Sequence, residues 1–316
     1  MNIERKRPFP SKRNSCFICS NSSGKILEKD GYSHFLCDDC GHIIVTPTPS
    51  QDFLNLLYES NYEYTSCERS SSSIQKSYGW MNKLEISKEC NILDVGCADG
   101  VLLDYLKNMG FKNLFGIEIS CKVSEIARLK GHQIVNGDLS RNFFENQTFD
   151  LIHISDVIEH MIDPAKMLSQ LKNILTRDGY IVITTPNMDS LWSKITLLIS
   201  EVTGLLWSSL TPPPHHQKNF TQKSLKLLIE KLGFRVVSEY SSSHSIFYEL
   251  GSLHLRRNFL KTKSVLNLFK LLMGCGLYVL CHLLCLILLP IFGEKFKLTF
   301  VIENSIGSTE TYNLAQ

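Results

Sequence analysis

The sequence predicts an α/β protein whose core is a doubly wound, Rossmann-like parallel sheet, and three observations predict it. The run Asn91-Ile92-Leu93-Asp94-Val95-Gly96-Cys97-Ala98-Asp99-Gly100 sets a short apolar strand against a glycine-rich turn, and Val101 to Met109 then reads as a helix. A second apolar run ends on Glu118, a carboxylate about 20 residues beyond that turn. Further short apolar runs alternate with helical patterns downstream, the arrangement that builds parallel sheets.

Residues 1–50 form a leader. Arg5, Lys6, Arg7, Lys12 and Arg13 make its start basic, but no apolar core follows, so it does not read as a secretory signal. Cys16-Phe17-Ile18-Cys19 and Cys37-Asp38-Asp39-Cys40 are two Cys-x2-Cys knuckles with 17 residues between them. That spacing fits a four-thiolate, tetrahedral zinc ribbon with no open coordination position, hence a structural Zn2+ site. His42, just beyond, reads as a bystander. So short a segment buries little core, and metal binding would supply its folding free energy. Residues 51–89 then read as a linker or lid, with the serine-rich stretch Ser66 to Ser73 ahead of Tyr78-Gly79-Trp80.

The sheet follows in order. Ile92 to Val95 is its first strand, and the glycines of the next turn let backbone approach a ligand closely. Asn113 to Ile119 is the second strand, with Glu118 at the carboxyl end, where it can accept hydrogen bonds from both hydroxyls of a ribose. His132 to Asn136 is the third, and Asp138 after it can accept from an exocyclic amine of adenine. Phe149 to Ser155 is the fourth, leading into Asp156-Val157-Ile158-Glu159-His160. A helix from about Pro164 to Leu175, a turn at Asp178-Gly179 and a fifth strand, Tyr180 to Thr185, come next. Thr221 caps a helix from Gln222 to Leu232, and Lys297 to Glu303 reads as a final, antiparallel strand.

As an ordered set, ILDVGCADG, GIEIS, NGD, FDLIHISDVIEH, LTRDGYIVITTPN and HHQKNFTQKSLKLLIEKLGF resemble the class I S-adenosylmethionine-dependent methyltransferases, from roughly Cys90 to Tyr240. The resemblance implies a seven-stranded methyltransferase sheet over 90–250 and 296–304. It implies that the turn from Gly96 to Gly100 holds the methionine end of S-adenosyl-L-methionine, Glu118 its ribose and Asp138 its adenine. Asp94, Gly96, Cys97, Ala98, Gly100, Glu118, Ile119, Asp138, Leu139 and Ser155 are the implied cofactor contacts. Ala98 stands where many members carry a glycine. The competing reading, a Rossmann scaffold that binds NAD or nothing, fits less well, because the turn is GxAxG rather than GxGxxG.

Methyl transfer from a sulfonium needs an aligned acceptor and, for a hydroxyl, a base. Asp156, Glu159 and His160, at i, i+3 and i+4, would share one face of a helical turn. This pattern is similar to that of ubiquinone-biosynthesis O-methyltransferases, where the corresponding cluster is associated with a divalent cation. Three readings stay open: such a cation, His160 as base or substrate contact, and a structural role beside the cofactor. His215 and His216 follow Thr211-Pro212-Pro213-Pro214, whose prolines favour an extended loop that can present a base whose ordinary pKa lies near neutrality.

From Leu271 to Phe292 run 22 residues whose only ionisable side chain is His282, long enough for a bilayer-spanning helix. The expected last strand at 297–303 must share the catalytic side of any membrane. Arg256, Arg257, Lys261 and Lys263 before the run, and Lys295 and Lys297 after it, make both flanks basic. Residues 251–295 are therefore expected to form a re-entrant or interfacial helical hairpin on the cytoplasmic leaflet; a single span and a helix pair packed on protein are the alternatives. The tail, 305–316, is polar. A net charge of +2 gives no argument for nucleic acid. Eleven cysteines without a signal sequence suggest reduced thiols in cytoplasm. Zinc-ribbon leaders occur on similar bacterial methyltransferases of glycan or natural-product pathways. The expected partner is thus a small-molecule, glycan-related or lipid-linked acceptor at a membrane surface, with a quinone or small aromatic as the alternative. A non-catalytic scaffold subunit is the reading from another class.

Overall fold

A computed structural model describes residues 14–29, 31–60, 86–139, 144, 146–190, 193–194, 197, 214–242 and 297–305. The serine-rich stretch, the prolines at 212–213, the apolar run 271–292 with its lead-in, and the tail beyond 305 lie outside the described residues. Among the described residues no helix is long and apolar enough to cross a membrane. The chain divides into two compact units. One comprises Met1–Pro47, Pro186–Leu225 and Tyr240–Leu298; the other comprises Thr48–Thr185, Lys226–Glu239 and Thr299–Gln316.

In the first unit, β1 (Asn14–Ser15), β2 (Ser22–Lys29), β3 (Tyr32–Cys37) and β4 (Ile43–Thr46) form successive antiparallel pairs. The register between β2 and β3 slips between Lys25 and Leu27. That bulge lets consecutive residues, Ile26 and Leu27, both reach the core, where they meet Ile43 and Met188. The fifth strand of this sheet comes from far along the chain. β10 (Lys218–Asn219) pairs antiparallel with β4, Lys218 opposite Ile44 and Asn219 opposite Ile43.

The second unit holds the predicted seven-stranded sheet. It is assembled from β5 (Asn91–Val95), β6 (Asn113–Glu118), β7 (Gln133–Asn136), β8 (Phe149–Ser155), β9 (Leu175–Pro186), β11 (Phe234–Ser242) and β12 (Lys297–Asn304). Their spatial order is β11-β12-β9-β8-β5-β6-β7. The pairs β5–β6, β6–β7, β5–β8 and β8–β9 are parallel. The chain winds outward from β5 through β6 to β7, then returns to the other side of β5 with β8. The carboxyl ends of β5 and β8 are therefore the topological switch point, where ligands of such sheets bind. β12, the strand expected over 297–303, inserts between β11 and β9.

Local sequence explains the elements. Leu151, Ile152 and Ile154 of β8 are fully buried, because a central parallel strand is covered on both faces. Helix α1 (Gln51–Ser60) occupies the first ten residues of the expected linker. Helices α2 (Val101–Asn108) and α3 (Cys121–Leu129) bury Leu102, Leu103 and Leu106, and Val123, Ser124 and Ala127. Helix α4 (Pro164–Asn173) starts as its chemistry dictates: Pro164 needs no amide partner, and Asp163 accepts from Lys166 N at 2.9 Å. It stops before Leu175, because Leu175 already pairs with Phe149; the register then jumps so that Tyr180 faces Leu151, and the expected turn at 178–179 is the bulge. Helix α5 (Gln222–Lys231) begins with Thr221 Oγ1 accepting from Ser224 N at 3.1 Å.

Candidate functional site

The glycine-rich turn after β5 is held open by backbone geometry. Gly96, Ala98 and Gly100 adopt left-handed φ of 71°, 48° and 82°. Gly96 N and Cys97 N donate to Ile117 O at 2.8 and 3.2 Å, which ties the turn to β6. A Cβ on Gly96 would lie 2.5 Å from Val157 Cγ2, so glycine is required for space as well as for φ. Ala98 holds its left-handed position with the smallest side chain, at a backbone cost of about 1 kcal/mol. Cys97 is buried, its Sγ filling the space beside Gly116, and burial raises its thiol pKa.

Glu118 is buried at 6% exposure, and its carboxylate accepts from Ala98 N at 3.0 Å and Ser120 N at 2.9 Å. Burial raises its pKa; the N–H groups of Ser120, Ala98 and Ile119 pull the other way. These two hydrogen bonds leave acceptor capacity on both oxygens, which suits a vicinal diol. The residues present therefore fit the sugar of S-adenosylmethionine, a group whose role is to supply the reactive methyl. Ile119, Asp138 and Leu139 line the adjoining loops, each half-buried, and Ser155 ends β8, also half-buried.

Several residues that the sequence did not single out fix this arrangement. Asn136 Nδ2 donates to Glu118 O at 3.0 Å and Ile119 O at 3.1 Å, stapling β7 to the loop after β6. Lys130 Nζ bonds Asp99 O at 2.7 Å and Asp99 Oδ2 at 3.0 Å, and buried His132 meets Asp104 Oδ1 at 2.7 Å. Asp94 is opposite His153 in the sheet register, and its Oδ1 lies 2.8 Å from His153 Nδ1. An expected cofactor contact thus has a buried protein partner. No local pattern marks these pairs; only the Asn136-Gly137 step at a strand end hints at the staple.

The expected face of Asp156, Glu159 and His160 does not form. Asp156 has a left-handed φ of 54°, and only Ile158–His160 turn, as a single 3-10 turn. The i, i+3, i+4 spacing shares a face only on a continuous helix, and the left-handed residue breaks it. Asp156 does not join the other two in a cluster of donors within 4.8 Å of one another. Buried Glu159 accepts from Thr185 Oγ1 at 3.0 Å, and the Tyr58 ring stands edge-on to His160, centroids 6.1 Å apart.

In the first unit, one ligand sulfur from each of Cys16, Cys19, Cys37 and Cys40 lies within 4.8 Å of the others. Cys16 Sγ and Cys40 Sγ are 3.7 Å apart, Cys19 Sγ and Cys37 Sγ 3.4 Å. That is the donor set and spacing of a tetrahedral four-thiolate zinc site, so the residues fit the metal. His42 stands outside the set. It is buried between Phe17 and Phe220, each ring centroid 5.0 Å away, and burial lowers its pKa to about 3. His216 is buried and His215 half-buried, on the stretch that leads into β10.

Sheet order, switch point and acidic clasp together define an α/β protein of the class I methyltransferase fold. The family model for a methyltransferase domain matches residues 80–239, and the chain belongs to this methyltransferase family. It is similar to the ubiquinone biosynthesis O-methyltransferase of Actinobacillus pleuropneumoniae, with 30% identity over 109 residues, 30% of this chain and 45% of that protein. It is also similar to the human EEF1A lysine methyltransferase 2, with 28% identity over 159 residues, 44% of this chain and 65% of that protein. The chain spans about half the length of the curated relatives it matches first. The solved structure of the [4+2]-cyclase SpnF shares the fold at a TM-score of 0.55 and 12% identity, covering 83% of this chain and 99% of that one.

Proposed function

We propose that this protein transfers a methyl group from S-adenosylmethionine to an oxygen of a glycan-related or lipid-linked acceptor at the cytoplasmic face of a membrane. The observation that carries the cofactor is the buried Glu118 carboxylate clasped to the left-handed turn by Ala98 N. The four-thiol cluster holds a structural zinc in this reading. His215 and His216 supply the base that takes the acceptor proton. The apolar run 271–292, with basic residues on both sides, supports peripheral or monotopic docking at the inner leaflet. A second reading, a quinone or small-aromatic acceptor, is favoured by the likeness to the ubiquinone biosynthesis O-methyltransferase.

Calorimetry with S-adenosylhomocysteine tests the cofactor: the full chain binds it, and Glu118→Ala loses most of that affinity. Absence of binding, or equal binding by Glu118→Ala, would instead favour a scaffold. Incubating cytosolic and membrane fractions with methyl-labelled cofactor then separates the acceptors. Label in a glycan-bearing lipid supports the first reading, and label in an isoprenoid quinone the second. Unchanged turnover in the His215→Ala/His216→Ala variant removes the histidines from the reaction.

A further inference from the structure

We propose that the metal knuckle around Cys40 is the positioning device for the segment bearing His215 and His216, so that zinc held by the four thiols fixes the backbone of that segment. The inference rests on the functional reading given to those histidines above.

Every contact that carries it lies within the first unit. Residues 218–219 form only a two-residue strand on β4, too short to hold a loop in place by itself. Val45 N adds a bond to Gln217 O at 3.1 Å. The decisive contact is buried: Thr221 Oγ1 donates to Cys40 O at 2.6 Å, although 181 residues separate the two in sequence. The hydroxyl has one proton, which goes to Cys40, while its lone pairs accept from Ser224 N at the start of α5. One oxygen therefore joins a thiol-bearing backbone to a helix cap.

The knuckle is shaped for this approach. Gly41 follows Cys40 at φ 71°, and a Cβ there would lie 2.8 Å from Thr221 Cγ2. Outside the threonine, Lys223 Nζ reaches Asp39 O at 3.1 Å and Asp39 Oδ1 at 2.8 Å. On the other side, His42 packs its ring on Phe220. Thus Phe220, Thr221 and Lys223 all hold one turn of backbone, residues 39–42, whose conformation four-thiolate coordination would fix. Backbone bonds close part of that turn, Cys37 N donating to His42 O at 2.9 Å and Gly41 N to Cys37 O at 3.3 Å. The metal would add four thiolate bonds to them, and structural zinc sites of this size couple binding to folding. Loosening Cys40 removes the acceptor of Thr221 and frees the chain on either side of it. Thr221 is a positioning residue.

Hydrogen exchange on the full chain tests this, with zinc content measured alongside. Stripping zinc with a chelator is expected to raise exchange across 214–221 at least tenfold. Exchange across 91–118, and the affinity for S-adenosylhomocysteine, should change less than twofold. Thr221→Val keeps the volume but removes the donor, and it should release zinc to the chelator several-fold faster than the parent, with Thr221→Ser restoring the rate. Protein purified without zinc, exchange at 214–221 indifferent to zinc, or equal zinc release from Thr221→Val would each overturn the proposal. Should stripping unfold 91–118 as well, the release rates of the two Thr221 variants decide. Failure to bind S-adenosylhomocysteine in the zinc-loaded chain would sink the methyltransferase reading instead, without touching the exchange result.

Discussion

Gly96→Ala is the sharpest perturbation of the cofactor turn, because two separate costs can be assigned to one methyl group. At φ 71° an L side chain is disfavoured by about 1 kcal/mol. The methyl would also lie 2.5 Å from Val157 Cγ2, well inside van der Waals contact. Relieving such an overlap by moving side chain or backbone costs about 1–3 kcal/mol. The sum is about 2–4 kcal/mol, spent either on stability or on a displaced turn that no longer accepts the cofactor. The two costs can be separated. Val157→Ala removes the obstructing Cγ2, so Gly96→Ala/Val157→Ala should recover the steric part and keep the backbone part. Denaturant unfolding and S-adenosylhomocysteine calorimetry on the four proteins of the cycle read both. Full stability and affinity in Gly96→Ala, or a cycle with no coupling between the two positions, would refute the reasoning.

Two further outcomes follow from buried titratable groups. Burial lowers His34 to about 4 from an ordinary 6.5. The unfolded chain therefore takes up a proton that the folded chain refuses between these values. The stability in question is fully present above 6.5 and lost as pH falls to about 4, a loss of about 3 kcal/mol at about 1.4 kcal/mol per pH unit. His34→Leu should flatten the acid limb of a melting-temperature profile, and an unchanged limb would count against it. For Glu118 the sign is opposite: its raised pKa means the folded state holds the proton more tightly, and an ionised carboxylate is what a ribose needs. Affinity for S-adenosylhomocysteine should weaken on acidification in a window that opens above the ordinary 4.5. Glu118→Gln should lose about 10- to 100-fold in affinity, together with that pH dependence, since hydrogen bonds to a charged acceptor contribute about 1.5–3 kcal/mol. A pH-dependent Glu118→Gln would point to another group.

What was legible in the sequence was local. Phe149 to Ser155 reads as a buried strand because its apolar run ends in turn chemistry on both sides, and β8 has those bounds. The turn at 96–100, the carboxylate at 118 and the Thr221 cap are likewise patterns a few residues long. What escaped was set by partners distant in the chain. Lys218 and Asn219 carry no strand signal of their own; β4 supplies it. Asp94 and His153 lie 59 residues apart, and each alone reads as an ordinary polar residue on an apolar strand. The face expected of Asp156, Glu159 and His160 failed for another reason: spacing implies a shared face only once the backbone is known to be helical, and one left-handed residue removes that premise.

That left-handed residue yields a last prediction, which also separates the roles left open for Asp156. Its amide donates to Thr184 O at 2.9 Å, so the chain turns out of β8 while still bonded to β9. The next residue, Val157, is the one that fills the space beside Gly96. The strained backbone therefore serves to bring the loop after β8 against the loop after β5 at the switch point. Asparagine tolerates left-handed φ about as well as aspartate, whereas alanine does not. Asp156→Asn should unfold within about 0.5 kcal/mol of the parent, and Asp156→Ala should lose about 1 kcal/mol. Equal stability of the two variants would dismiss the strain argument. Turnover then reports on the carboxylate alone: a stable Asp156→Asn that binds S-adenosylhomocysteine but no longer transfers methyl assigns the charge to the reaction, and full turnover assigns Asp156 to the backbone.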